Sequence, residues 1–211
     1  MRKQSPTSPW RALLLKVLRV RMDLASTAPI WARIASQAHI VCANHVSLLD
    51  GIVIALASPV PLTFAVDPAY SRHSPAARLG LALLSKAGLG NVVPMDMGSP
   101  FGLRALRRAL DAGRSVMVFP EGRISPDGRP QPLLPGAIWL HRASAAPVVW
   151  FSIAGAEHSR LFAKAGRHWW PAITLTASPA VLTTGTALSL SCRTPSRSTA
   201  LAEAATAHRT V

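Results

Sequence analysis

The sequence predicts an α/β domain whose central sheet is mostly parallel and flanked by helices. Short apolar runs rich in Val and Ile alternate along the chain with segments of helical periodicity. This alternation is typical of βα units, in which helices connect parallel strands. With 211 residues, of which 49% are hydrophobic, the chain has enough apolar surface for one real core.

Composition along the chain divides it into three predicted segments. Residues 1–36 form a leader and an amphipathic helical region, with helices predicted over 10–22 and near 28–36. Residues 37–180 form the α/β domain. Residues 181–211 are rich in Thr, Ser, Ala and Arg, and we expect a mobile tail or a weak helix there.

The predicted core elements follow from apolar period and from turn residues. Strands are predicted at 40–43, 61–66, 91–94, 115–119, 147–153 and 173–177. Helices are predicted at 48–57, 75–87, 101–112 and 136–143. The helix over 101–112 has a stripe of three leucines opposite a face of three arginines, and a glycine after its end: Leu103, Leu106, Leu110; Arg104, Arg107, Arg108; Gly113.

The predicted N-terminal helix is basic and amphipathic. Leu14, Val17 and Leu18 recur at helical spacing, and Trp10 and several cations flank them. Such a helix either lies in a membrane interface or packs on the domain with its cations extended into water. Lys16 interrupts any signal-peptide core, and no apolar run reaches the ~20 residues that a membrane span needs.

The charge is strongly positive, with 23 Lys and Arg against 9 Asp and Glu and a formal net charge of +14. This balance indicates an anionic partner, which from composition alone is nucleic acid, acidic lipid or an acidic carrier protein. Cys42 and Cys192 fit neither a disulfide framework nor metal spacing, and the seven histidines are scattered. We therefore expect a reducing, cytoplasmic location and no metal.

A histidine and a carboxylate stand five positions apart directly after the predicted strand 40–43, as His45 and Asp50. A carboxylate on one imidazole nitrogen fixes the tautomer and leaves the other nitrogen as a general base. A continuous helix would separate the two side chains by ~140°, so the chain must turn between them. Ser47 and Asp50 also match a capping box, and a merely capped helix is the alternative interpretation.

A second polar cluster follows the predicted strand 115–119, where Pro120, Glu121, Gly122 and Arg123 form a turn. The carboxyl ends of strands in α/β sheets are where ligands bind. An arginine there suits a phosphate, and a glycine lets the backbone approach a ligand closely. The alternative is a surface turn with a Glu–Arg pair worth under ~1 kcal/mol.

Together, Asn-His-x4-Asp and the later Phe-Pro-Glu-Gly-Arg resemble the glycerolipid acyltransferases, which include the lysophosphatidate and lysophospholipid acyltransferases. The resemblance spans residues 38–178. Its further parts are the short segments 64–66, 93–96, 136–137 and 155–157. Pro-Glu-Gly-Arg-Ile and Ala-Gly-Ala-Glu are especially similar to the acyltransferase half of the bacterial 2-acylglycerophosphoethanolamine acyltransferases.

The resemblance implies acyl transfer without an acyl-enzyme. His45 is the implied base for a glycerol hydroxyl, Asp50 its partner, and the helix start near Ser47 a site for the developing oxyanion. Asn44, Glu121, Gly122 and Arg123 are the implied substrate-binding residues, with Arg123 on the phosphate.

The implied substrates are a lysophospholipid, of lysophosphatidate or lysophosphatidylethanolamine type, and a thioester of CoA or acyl-carrier protein. We expect a peripheral protein on the inner face of the cell membrane, without a cofactor or nucleic-acid partner.

The sequence departs from the family pattern at three places. Met97 follows the Asp of the second block, where many lysophosphatidate acyltransferases have an arginine, and Arg104 is a candidate replacement. Gln131 lies in a region where a lysine is usual, and Trp150 replaces a proline of the fourth block. These departures concern headgroup and chain preference more than the chemistry.

Three other functions are compatible with parts of the sequence. A basic, non-catalytic protein that binds anionic membrane or nucleic acid is consistent with the charge, although the chain has no recognised nucleic-acid motif. A serine hydrolase is suggested by Ser47 beside the histidine, but no Gly-x-Ser-x-Gly segment occurs. A degenerate family member without activity is the third.

Overall fold

The computed structural model describes residues 8–66, 82, 86–94, 100–183 and 189–192. The strands within these ranges are β1 Val20–Met22, β2 Ile40–Ala43, β3 Leu62–Val66, β4 Gly90–Pro94, β5 Val116–Val118, β6 Val148–Ala154, β7 Ile173–Thr183 and β8 Ser189–Cys192. The helices are α1 Pro9–Val17, α2 Leu24–Ser36, α3 Asp50–Ala57, α4 Pro100–Asp111 and α5 Gly136–Ser144, with a 3₁₀ turn at Ala156–His158.

One sheet contains all of these strands, in the order β1-β7-β6-β2-β5-β3-β4, with β8 paired to β7. Among the described strands, β7 runs antiparallel to β6 and β8, and every other pair is parallel. The predicted α/β class, with a mostly parallel sheet flanked by helices, is confirmed.

Alternate residues of β2 divide the core into two layers, because successive strand side chains point to opposite faces. Val41 and Ala43 pack with residues of α1, α2 and α3, whereas Ile40 and Cys42 pack with residues of α4 and α5. All four side chains are buried. Burial raises the pKa of the Cys42 thiol to about 12, so this cysteine is an inert core residue.

Helix α4 confirms the predicted stripe. Of the predicted leucines, Leu106 and Leu110 are buried against the sheet together with Ala109, and Leu103 is half-buried. The three arginines Arg104, Arg107 and Arg108 are exposed. The helix ends where Gly113, at a φ of 71°, donates its N–H to the carbonyl of Leu110 at 2.8 Å. Glycine adopts this left-handed conformation without steric penalty, so Gly113 is suited to end the helix.

The N-terminal region differs from its prediction. Helix α1 ends at Val17, and the chain turns at Arg19 with a φ of 54°. Residues 20–22 then form β1, parallel to β7, where the prediction extended the helix. Arg21 is exposed and both of its neighbours are half-buried. Burial therefore alternates with the period of two residues that is typical of a strand, and not with the 3.6 residues of a helix.

The C-terminal part of the sheet extends further than predicted. β7 runs to Thr183 instead of residue 177, and β8 lies within the segment predicted as a tail. β8 has no β-branched residue, and its antiparallel pairing with the end of β7 places this segment in the sheet. Most of the predicted helix 75–87, and the chain after residue 192, lie outside the described residues.

No membrane-crossing helix occurs in the part of the chain that the structure describes, since none of its helices is both long and apolar enough. The boundaries of the three predicted segments stay a prediction.

Gly155 connects β6 to the 3₁₀ turn and has no room for a side chain. Its φ is 93°, and a Cβ there would lie 2.1 Å from the carbonyl oxygen of Ala172. Gly113 has a similar positive φ of 71°, but a Cβ would meet nothing within 4 Å. A side chain at Gly155 would therefore meet both steric overlap and backbone strain, whereas a side chain at Gly113 would meet backbone strain alone.

We predict that Gly155→Ala lowers the free energy of unfolding by about 3 kcal/mol or more, and Gly113→Ala by only about 1 kcal/mol. Denaturant unfolding of the two variants and the wild type measures the difference. Equal losses would contradict the close approach of Gly155 to Ala172.

Candidate active site

Both polar motifs lie at the same edge of the sheet, because they follow neighbouring parallel strands. β2 and β5 pair in register, with Cys42 opposite Val118. His45 follows the end of β2 by two residues, and Glu121 follows the end of β5 by three. The carboxyl edge of the parallel strands therefore brings the two motifs together, as the sequence predicts.

The carboxylate of Asp50 is the centre of the first motif. It is fully buried, and its Oδ2 atom lies 3.0 Å from His45 Nδ1. Oδ2 also accepts the backbone N–H groups of Val46 and Ser47, at 2.6 and 2.8 Å. Oδ1 accepts the hydroxyl of Ser47 at 3.1 Å. These donors replace the water that a buried carboxylate loses.

The helix start differs from the predicted capping box. Helix α3 begins at Asp50, and not at Leu48, with Leu49 in the N-cap position. The acidic half of the box forms, since Asp50 accepts the N–H of Ser47. The hydroxyl of Ser47 instead accepts the N–H of Leu49 at 3.0 Å, because the chain makes one further turn before the helix.

The imidazole of His45 is held in one orientation from two sides. Since Asp50 is an acceptor, Nδ1 carries the proton and donates it, and in the neutral ring Nε2 is then the basic nitrogen. The ring also stacks on Phe119, with centroids 4.0 Å apart and an interplanar angle of 14°. The side chain is 19% exposed, so a bound molecule has access to it.

The backbone N–H groups of the loop before α3 donate to acceptors within the chain. Val46 and Ser47 donate to Asp50, Leu49 donates to Ser47, and Leu48 donates to the carbonyl of Phe162 at 2.8 Å. These four N–H groups hold the loop. The helix starts at Asp50 rather than near Ser47, and the N–H groups around Ser47 are engaged within the chain. The predicted contact of the helix start with a developing oxyanion stays a prediction.

The second motif contacts the first through main-chain groups. The N–H of Ser125 donates to the carbonyl of His45 at 2.7 Å. Glu121 is buried, and burial raises the pKa of its carboxyl, while the backbone N–H groups of His45 and Gln131 oppose that rise. The Oε2 atom of Glu121 has no hydrogen-bond partner among the described residues.

The turn itself presents Gly122 and Arg123 to solvent. Gly122 has a φ of 68° and donates its N–H to the carbonyl of Phe119 at 3.0 Å. Arg123 donates from Nη2 to Gln131 Oε1 at 3.1 Å. Gln131, a departure from the family pattern, thus holds the guanidinium.

Asn44 joins the motif to β6. Its side-chain nitrogen donates to the carbonyl of Ile153, and its oxygen accepts the N–H of the same residue, both at 2.8 Å. The amide is therefore a loop anchor in this structure, and its predicted contact with substrate stays a prediction.

Three contacts at the site were not predicted from the sequence: the stacking of Phe119, the anchor at Ile153 and the carbonyl of Phe162. Phe119 lies within the second motif, directly before Pro120, and this position was the one sequence feature that could have indicated its contact with the site. The other two are main-chain groups from distant strands and loops, which residue type does not reveal.

Metal ligation has no candidate in the described ranges, where no three His, Cys, Asp or Glu side chains lie together. Met97 and the second-block residues Met95 and Asp96 lie outside the described residues.

Glu121 gives a pH-dependent test of the site. A carboxyl whose pKa is raised by folding favours the folded state below the ordinary pKa of 4.5, and loses that contribution as the pH rises through the raised value. We predict that wild-type stability falls relative to Glu121→Gln between about pH 4 and about pH 8. Denaturant unfolding at both pH values measures it, and a pH-independent difference between the two proteins would contradict the burial of the charge.

Comparison with known proteins places these motifs in a family. A family model described as acyltransferase matches residues 30–154, more than half of the chain and all of both motifs. Among solved structures, the chain is similar to the 1-acyl-sn-glycerophosphate acyltransferase PlsC from Thermotoga maritima. The identity is 19% and the TM-score 0.48, over 99% of this chain and 82% of that chain. By the family match, the chain belongs to the acyltransferase family.

Proposed function

We propose that the protein is an O-acyltransferase that moves a fatty acyl group from a thioester to the glycerol hydroxyl of a lysophospholipid. The donor is an acyl-CoA or acyl-carrier protein, and the acceptor is of the lysophosphatidate or lysophosphatidylethanolamine type. The observation that carries the proposal is the His45–Asp50 pair beside the Glu121 turn, inside the region matched by the family model.

The proposed reaction is one direct displacement at the thioester carbonyl. His45 Nε2 takes the proton of the glycerol hydroxyl as its oxygen attacks the carbonyl carbon. The new C–O bond forms, the C–S bond breaks, and the leaving thiolate takes the proton from the imidazolium. Asp50 stabilises the imidazolium and keeps Nδ1 protonated throughout, so no acyl-enzyme is needed.

The Glu121 turn is the proposed acceptor site. The unpartnered Oε2 atom of Glu121 is a buried acceptor next to the His45 loop, which suits a hydroxyl or amine of the lysolipid. Arg123 is exposed, and its fork matches a phosphate once the contact with Gln131 is exchanged. Gly122 leaves room for the headgroup between them.

An exposed aromatic face supports peripheral membrane binding. We use this term for Trp10, Leu13 and Val17 of α1, with Trp169 and Trp170 of the loop before β7; each is 39% exposed or more. Trp170 Nε1 donates to the carbonyl of Val17 at 2.7 Å, which joins the two parts. Helix α1 buries only Leu15, so most of its apolar surface is left for a partner.

Cations accompany the aromatic face. The guanidinium of Arg160 lies 4.8 Å from the ring centre of Trp169, and Lys16 is exposed on α1. Apolar side chains beside Lys and Arg suit the interface of an anionic membrane. The same loop includes Phe162, whose carbonyl holds the His45 loop, so a lipid surface here lies near the proposed base. We therefore propose that the protein acts at the inner face of the cell membrane.

We predict that His45→Ala lowers the rate of acyl transfer at least about a hundredfold, because it removes the general base. Asp50→Asn should also lower it strongly, since the amide cannot stabilise an imidazolium. His158→Ala, which changes an exposed histidine outside the site, is the matched control and should keep its rate.

The assay uses purified protein, a labelled acyl thioester and a panel of lysolipids, with identification of the acylated product. Full activity of His45→Ala would exclude the proposed base. Absence of product with every acceptor and both donor types would overturn the proposed function.

We predict that Trp169→Ser weakens binding to vesicles of anionic phospholipid about tenfold, because an exposed indole no longer enters the interface. Trp139→Ser is the matched control, since Trp139 is 42% exposed on the other side of the sheet. Vesicle co-sedimentation measures both. Equal binding by the two variants would exclude the aromatic face as the membrane contact.

A further inference from the structure

An open groove of about 470 Å³ lies between α4 and α5, on the side of the sheet opposite α1, α2 and α3. Its lining is cationic and aromatic. The lining residues are Phe101, Arg104, Arg107, Arg108, Asp111 and Trp139. The proposed acyl transfer, as derived above, does not use any of them, although the sequence offers Arg104 as a replacement phosphate ligand for the acceptor.

The side chains of the groove provide two kinds of contact. The guanidinium of Arg104 lies 5.9 Å from the ring centre of Phe101, and Arg107 Nε lies 3.6 Å from Asp111 Oδ2. Phe101 is 71% exposed and Trp139 42% exposed, although apolar rings are normally covered. Guanidinium groups bind phosphates as forks, and exposed rings stack on flat bases.

From this chemistry we propose that the groove binds an adenosine that carries several phosphates, as in the headgroup of a CoA thioester. The inference rests on the proposed function, because it assigns the binding site of the acyl donor. Arg104 and Arg108 contact the phosphates, while Asp111 holds Arg107 in place. Trp139 stacks on the base. The volume is in the range of small-ligand sites.

The position of the groove suits such a donor. The last turn of α4 leads through Gly113 to the start of β5, so its first turn, with Phe101, lies at the opposite, carboxyl edge of the sheet. A helix of twelve residues is ~18 Å long, so the groove extends from the site edge along the side of the domain.

The start of α5 connects the groove to the active-site turn. Leu134, two residues before α5, donates its N–H to the carbonyl of Pro120 at 2.7 Å. Pro120 immediately precedes Glu121. The start of α5, the helix that contributes Trp139 to the groove, is therefore joined to the turn that contains Glu121.

An acidic carrier protein is the competing occupant of a basic surface. A folded protein needs a broad contact area, whereas this open groove has only about 470 Å³ and has a ring on each helix. The shape therefore favours the nucleotide, and the carrier protein becomes an outcome of the test.

The test measures binding without turnover. Isothermal titration of the full-length protein with adenosine 3′,5′-bisphosphate and with free CoA gives the dissociation constants. Arg104→Gln and Arg108→Gln should each weaken both ligands about tenfold, because each removes a charge-assisted contact. Trp139→Leu should weaken adenosine 3′,5′-bisphosphate but not inorganic pyrophosphate. Arg33→Gln on α2 is the matched control, since Arg33 is exposed and lies on the opposite side of the sheet.

The outcomes separate this inference from the proposed function. His45→Ala should bind CoA as the wild type does, even though it transfers no acyl group. Equal CoA affinity in Arg104→Gln, Arg108→Gln and Arg33→Gln would overturn the inference and leave the base intact. Arginine-dependent binding of an acyl-carrier protein with no binding of adenosine 3′,5′-bisphosphate would also overturn it.

Discussion

The buried carboxylate of Asp50 determines the geometry of the site. This carboxylate accepts hydrogen bonds from His45 Nδ1, from two backbone N–H groups and from the Ser47 hydroxyl. It is fully buried and has no access to water. A buried anion is tolerated only with such donors, so the loop that provides them is constrained as well. The same contacts that solvate Asp50 fix the tautomer and the orientation of His45. Folding and chemistry thus depend on one side chain.

The sheet positions the loops that surround this carboxylate. Because β2 and β5 are parallel neighbours, the loops that follow them meet, and main-chain groups join His45 to the turn at Glu121 and Ser125. Asn44 fixes the same loop to β6, and Phe162 holds it from the loop before β7. Four chain segments thereby converge on the imidazole. Such support from rigid elements is what a positioned base requires.

The sequence predicted those features of the fold and of the site that depend on local patterns of residue type. The alternation of apolar runs predicted the sheet, and the His45–Asp50 spacing predicted a turn and a contact that the structure contains. The helix start was misplaced, because Ser47 bonds to Leu49 rather than capping the helix itself. β1 and β8 were missed because their partner is β7, far away in sequence, so pairing and not propensity determines them. The groove was not predicted, because the sequence assigns the arginines of α4 only to the helix face opposite the leucines, whereas Trp139 of α5 completes the lining.

The tautomer of His45 tests the central claim most directly. Nitrogen NMR of protein labelled at histidine, with His45→Ala to assign the signals, distinguishes a proton on Nδ1 from one on Nε2. The contact with Asp50 predicts that, in the neutral ring, Nδ1 carries the proton, and that Asp50→Asn shifts the balance toward Nε2. A neutral His45 protonated on Nε2 in the wild type would contradict the account, because its basic nitrogen would then face Asp50 instead of the substrate.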